Sequence, residues 1–98
     1  MQVMLDLCLI PIGVGTSLSP YIARCQKVIE QHGLSYQLHA YGTTIEGEWD
    51  SVFAAVKACH EAVHEAGAPR INSTLKVGTR TDKTQTMADK IQSVEEKL

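Results

Sequence analysis

Apolar and polar positions alternate over residues 3–12, with Val3, Leu5, Leu7 and Leu9 on one side and Met4, Asp6, Cys8 and Ile10 on the other. Period two is the signature of a β-strand. Both sides are mostly apolar, so the pattern predicts a central strand covered on both faces. Pro11, which has no N–H to give to a ladder, is expected to close it. Alternation resumes at Tyr36: Tyr36, Leu38 and Ala40 oppose Gln37, His39 and Tyr41, and beyond a tight turn at Gly42, Thr43 and Ile45 oppose Thr44 and Glu46. This predicts a hairpin with one apolar face. Its other face carries an amide, an imidazole, a hydroxyl and a carboxylate, a set suited to the floor of a binding cleft. A last strand runs from Arg70 to Arg80, with Ile71, Ser73, Leu75 and Val77 inward and Arg70, Asn72, Thr74 and Lys76 outward.

Between these runs the period changes to that of a helix. Ser19 and Pro20 read as an N-cap and first helical residue, Tyr21, Ile22, Cys25, Val28 and Ile29 as the buried stripe, and Gly33 as the stop. A second helix starts at Glu48 or Asp50, buries Trp49, Val52, Phe53, Val56, Cys59 and Val63, and ends at Gly67 and Pro69. Thr84 is placed to cap a third, whose stripe of Met87, Ile91, Val94 and Leu98 is only one residue per turn wide. So narrow a stripe suits a helix laid across a seam, including one between subunits.

The order β-α-β-β-α-β plus a C-terminal helix predicts an α+β, ferredoxin-like sandwich, one ligand-binding domain over residues 1–98. Its antiparallel four-stranded sheet has order 4-1-3-2, with both main helices on one face. The other face, with Met4, Asp6, Cys8, Gln37, His39, Thr44, Glu46, Thr74 and Lys76, is left bare. An aliphatic surface carrying carboxylates is a poor solvent face, and we expect it to pack against another subunit.

Composition narrows the function. A chain of 98 residues with 44% hydrophobic side chains but only one Trp, three Tyr and one Phe must build a small aliphatic core. A net charge of −2 provides no basic footprint for nucleic acid. The three cysteines, Cys8, Cys25 and Cys59, have no metal-ligand spacing and fall at apolar positions, as buried thiols of a reducing compartment do. The apolar N-terminal run is interrupted by Asp6, too short to span a bilayer and without a basic lead, so we expect a cytoplasmic protein with no membrane partner.

Three motifs carry candidate chemistry. Gly13-Val14-Gly15-Thr16-Ser17 half-matches a dinucleotide fingerprint, but Leu18 holds the third glycine position and no acidic residue follows at the ribose distance, so it reads as a flexible connection. His60-Glu61-Ala62-Val63-His64 spells the zinc-peptidase pattern. No histidine follows it, and at 100° per residue His60 sits in the stripe that faces the sheet, so packing is the favoured reading and no metal is expected. Asp6 and Glu46 on adjacent strands are a possible acid–base pair, weighed against an ion pair of Asp6 with Lys76.

Gly42-Thr43-Thr44-Ile45-Glu46-Gly47 with Trp49-Asp50, Lys76-Val77-Gly78-Thr79-Arg80-Thr81-Asp82-Lys83, and the opening strand ending in Ile10-Pro11-Ile12-Gly13 resemble the YkoF-like, thiamine-binding family of ferredoxin-fold proteins. The resemblance covers nearly the whole chain. It implies a non-catalytic, cofactor-free protein that binds thiamine or its hydroxymethylpyrimidine part and assembles as a dimer of dimers from single-module subunits. The residues agree in kind. Thr43, Thr44, Gln37 and His39 offer donors and acceptors for an aminopyrimidine edge; Trp49, Met4 or Tyr41 offer apolar walls; Glu46, with Asp6 near it, can meet the amino group or oppose the thiazolium. Arg80, Asp82 and Lys83 read as an intersubunit ion-pair cluster rather than a phosphate grip. Two other classes stay open: a structural or regulatory oligomer without a ligand, and an enzyme acting through His60 and His64 or through Asp6 and Glu46.

Overall fold

The computed structural model describes all 98 residues. The elements are β1 (Gln2–Ile12), α1 (Ser19–Gln31), β2 (Ser35–His39), β3 (Gly42–Glu48), α2 (Trp49–Glu65), β4 (Arg70–Gly78) and α3 (Met87–Glu95). The strands make one antiparallel sheet in the order β2-β3-β1-β4, the expected 4-1-3-2 read from the other edge. β1 is central because it is the most continuously apolar strand. Its residues Val3, Leu5, Leu7 and Leu9 are at most 4% exposed and meet Cys25 and Ile29 of α1 and Val52, Val56, Cys59 and Val63 of α2. At about 1.5–3 kcal/mol for each fully buried aliphatic side chain, this layer is the main source of stability.

Several boundaries differ from the sequence expectation, each for a local reason. Pro11 does not close the ladder: β1 continues to Ile12, paired with Arg70 of β4. Pairing with β3 stops earlier, at Leu7 and Thr43, so Pro11 lies where β1 has an open edge and its missing N–H costs nothing. Ser19 is not the cap of α1: the cap position is Leu18, which makes no side-chain capping bond, and Pro20 lies in the first turn. Thr86 caps α3 in place of Thr84. Its hydroxyl accepts from the Asp89 N–H at 3.1 Å while the Asp89 carboxylate accepts from the Thr86 N–H at 3.0 Å, a closed capping box. That bond holds the Asp89 carboxyl below its ordinary value.

Gly42 is required for close approach rather than for its backbone angle. A Cβ there would stand 2.4 Å from the Leu7 carbonyl oxygen. Gly33, at φ +70°, takes the left-handed conformation that ends α1. Cys25 and Cys59 are free thiols buried where α1 meets α2, with the Cys59 thiol donating to the Cys25 carbonyl at 3.7 Å. The neighbouring Cys25 thiol, reinforced by burial, pushes the Cys59 thiol well above its usual range.

The outer face of the sheet carries no main helix. α3 touches it only at its start: Met87 is buried, and every later residue of the helix is exposed, including Ile91 at 45% and Val94 at 60%. The radius of gyration of 14.4 Å exceeds the value of about 13 Å typical of a chain this long, as an outlying helix requires. No helix is long and apolar enough to cross a membrane.

Candidate functional site

Antiparallel register sets the outer-face side chains in rows. Gln37, Thr44, Asp6 and Lys76 fall in one line across β2, β3, β1 and β4, and Ser35, Glu46 and Met4 in the next. Asp6 is the hub of the first row. One carboxylate oxygen, Oδ1, meets His39 Nε2 at 2.6 Å and accepts from the Thr44 hydroxyl at 3.2 Å. The expected partner Lys76 is not engaged. The hairpin brings His39 over β1 while Lys76 lies on the edge strand, where its long chain extends to water. His39 is fixed at its other nitrogen too, Nδ1 accepting from the Tyr41 N–H at 3.3 Å.

Glu46 has a role that no sequence spacing announces. Its Oε2 accepts from the backbone N–H of Met87 at 2.8 Å, placing a carboxylate at the N-terminus of α3, where the helix dipole favours a negative charge. Glu46 therefore ties α3 to the sheet and does not pair with Asp6. Beside this contact lies a cleft of about 590 Å³, floored by Ser35, Gln37 and Glu46 and walled by Met87, Ile91 and Gln92. It is an open groove rather than an enclosed cavity. No sequence signal marks the α3 wall, because nothing local says onto which face a C-terminal helix folds.

Two expected site residues lie elsewhere. Thr43, which the hairpin alternation already sets opposite Thr44, is 3% exposed on the helix side, where Gln26 Nε2 donates to its hydroxyl at 2.9 Å. Trp49 stands at the far end of β3, stacked on Phe53 with ring centroids 4.6 Å apart, and packs against the core. The five remaining residues, Asp6, Gln37, His39, Thr44 and Glu46, share the outer face.

The histidines of the zinc-like motif are each engaged. His60 Nε2 bonds the Ser73 hydroxyl at 2.7 Å, and His64 Nδ1 bonds the Ala68 carbonyl at 2.8 Å. Burial, then the neighbouring His64, lowers the His60 pKa. No cluster of three metal-ligating side chains forms. Arg80 pairs within its own chain, bonding both Asp82 oxygens and donating to Gln85 Oε1 at 2.6 Å; this guanidinium holds the Asp82 carboxyl down at about 2.

A sequence profile for the family described as thiamine-binding protein matches residues 5–95. This chain belongs to that family. Its relatives include the UPF0045 protein sll0230 of Synechocystis, 62% identical over 97% of this chain and 78% of its own length, and the UPF0045 protein YqgV of Bacillus subtilis, 39% identical over 95% and 94%. Among solved structures, the hypothetical protein MJ1052 of Methanocaldococcus jannaschii superposes with a TM-score of 0.90 at 32% identity, covering 97% of each chain. A Thermotoga maritima protein described as a candidate for thiamine biosynthesis or salvage shares the fold, with a TM-score of 0.82 at 21% identity over 96% of this chain and 99% of its own. The family description names a small-molecule-binding role.

Proposed function

We propose that this protein is a non-catalytic, homo-oligomeric binding protein for thiamine or its hydroxymethylpyrimidine moiety, with its site on the outer sheet face beneath α3. The observation that carries the reading is the cleft of about 590 Å³ between Gln37, Glu46 and α3, adjoining the Asp6–His39–Thr44 cluster. An aminopyrimidine needs a donor and an acceptor along one edge and an apolar slot for its faces. The Gln37 amide supplies both polar functions, Thr44 a hydroxyl, and Met87 and Ile91 the apolar wall. The carboxylates of Glu46 and Asp6 suit an exocyclic amino group or a thiazolium cation.

Assembly fits the same surface. Ile10 at 41% and Ile12 at 40% on the outer face, and Val94 at 60% on α3, are exposed hydrophobics, and a second copy set there would bury them and close the cleft. Titration calorimetry with thiamine and with hydroxymethylpyrimidine, alongside sedimentation, tests both halves. Saturable heat from either compound, weakened in Gln37→Ala and Asp6→Asn, supports the site. No heat from either compound, or a monomer at micromolar concentration, sinks the reading.

A further inference from the structure

Two cysteines meet inside the core, and nothing on the outer face uses them. Cys25 of α1 is 2% exposed and Cys59 of α2 is fully buried. The Cys59 sulfur lies 3.7 Å from the Cys25 carbonyl oxygen, although the two residues are 34 positions apart in the chain. One side chain thus spans the seam between the helices, which is the closeness that a disulfide requires.

The two thiols are not equivalent. The Cys59 S–H donates to the Cys25 carbonyl while both are neutral, and it can turn to the Cys25 sulfur once that is a thiolate. This donor lowers the Cys25 thiol from its ordinary value against the opposing effect of burial. Cys59 is held up by the same partnership and by burial together. The thiolate is the nucleophile, so Cys25 is the member of the pair that attacks. Access points the same way. Cys25 borders a cleft of about 240 Å³ at the start of α1, beside Leu18 and Ile22, and Cys59 does not. A small reagent entering there meets Cys25 first and reaches Cys59 only through it.

We infer that Cys25 and Cys59 form a thiol–disulfide exchange site, oxidised by a low-molecular-weight disulfide to a bridge between α1 and α2, with Cys25 the attacking and Cys59 the resolving thiol. The Cys25 thiolate attacks one sulfur of the reagent RSSR. A Cys25–SR bond forms, the reagent's S–S bond breaks, and RS⁻ leaves and takes a proton from water. Cys25 now carries no charge, so the effect that held the proton on Cys59 is gone and only burial still opposes its loss. The Cys59 thiol gives up its proton and attacks the Cys25 sulfur, and the second RS⁻ departs and is protonated. Two thiols have lost two electrons, and one RSSR has become two RSH. The site is independent of any ligand on the outer face.

The test uses the full chain with Cys8→Ala, so that only the pair can react, folded in buffer with hydroxyethyl disulfide. Samples are quenched with acid over time and read by intact mass and peptide mapping. The expected course is a mixed disulfide on Cys25, then a chain lighter by two hydrogens with the Cys25 and Cys59 peptides joined. Adding Cys59→Ala should stop the reaction at the Cys25 adduct, formed more slowly because the S–H that favours the thiolate is gone. Adding Cys25→Ala should leave Cys59 unmodified. If either variant fails to fold, the order of species in the Cys8→Ala chain decides alone. Thiols that stay free in buffer and react only in urea are inert core residues, and that result overturns the inference. A mixed disulfide that appears first on Cys59, or a Cys25 adduct that never closes to the bridge, overturns it as well.

Discussion

Replacing Glu46 by Ala should melt α3 and leave the rest of the protein standing. α3 has nine residues, fewer than the roughly 12–15 that an isolated helix needs to be even marginally stable in water. Its apolar stripe is exposed beyond Met87, so packing contributes little. What remains is its own capping box and the Glu46 carboxylate on the Met87 N–H at 2.8 Å. A hydrogen bond to a charged group contributes about 1.5–3 kcal/mol, and partial solvent access brings the figure here toward about 1–2. That is a shift of roughly 5- to 30-fold in the local opening equilibrium. Glu46→Gln keeps an acceptor but loses the charge at the helix N-terminus, and should cost only about 0.3–1 kcal/mol. Amide hydrogen exchange resolves this directly: protection over residues 87–95 falls in the order wild type, Gln, Ala, while exchange in β1 and α2 and the urea midpoint stay within about 0.5 kcal/mol. Undiminished α3 protection in Glu46→Ala would show the anchor to be idle. An equal loss in β1 would show that α3 folds as one unit with the sheet. Either outcome refutes the argument.

Gly42→Ala should destabilise the protein by about 1–3 kcal/mol in urea denaturation, because the new Cβ meets the Leu7 carbonyl oxygen at 2.4 Å and β1 cannot move away without disturbing its own pairing; an unchanged midpoint would contradict this. Leu5→Ala, at a fully buried position between the helices and the sheet, should cost about 2–5 kcal/mol, and a loss below 1 kcal/mol would mean that the core closes over the cavity. His60 gives stability a pH dependence of definite sign. Its folded pKa lies below the ordinary 6.5, so stability is full above that value and declines as pH falls through the lower folded one, where the unfolded chain binds the proton more readily. Denaturation midpoints from pH 7.5 to 4.5 should decline less steeply in His60→Gln, and parallel curves would remove His60 as the cause.

The sequence by itself determined the β-α-β-β-α-β order, because period-two and helical runs, with Gly and Pro between them, leave few ways to bury a small aliphatic core. It also set apart the face that holds Gln37, His39, Thr44, Glu46 and Asp6, since strand alternation assigns each side chain to a face before anything folds. Family membership was legible differently, as a resemblance carried by the runs from Gly42 and from Lys76. What pairs with what was left to the tertiary structure. Asp6 takes His39 rather than Lys76 because the hairpin swings the imidazole over β1, and Glu46 holds the start of a helix more than 40 residues away, as their separation of 41 positions records. Thr43 and Trp49 fell outside the outer face because one turns into the core and the other sits at the far end of β3. Even the cap of α3 moved from Thr84 to Thr86, since a capping box needs its acid three residues on and Asp89 stands there. Faces follow from local periodicity, which a chain carries in its own order of residues. Partners across strands and helices follow from where the fold brings distant segments, and no periodicity encodes that.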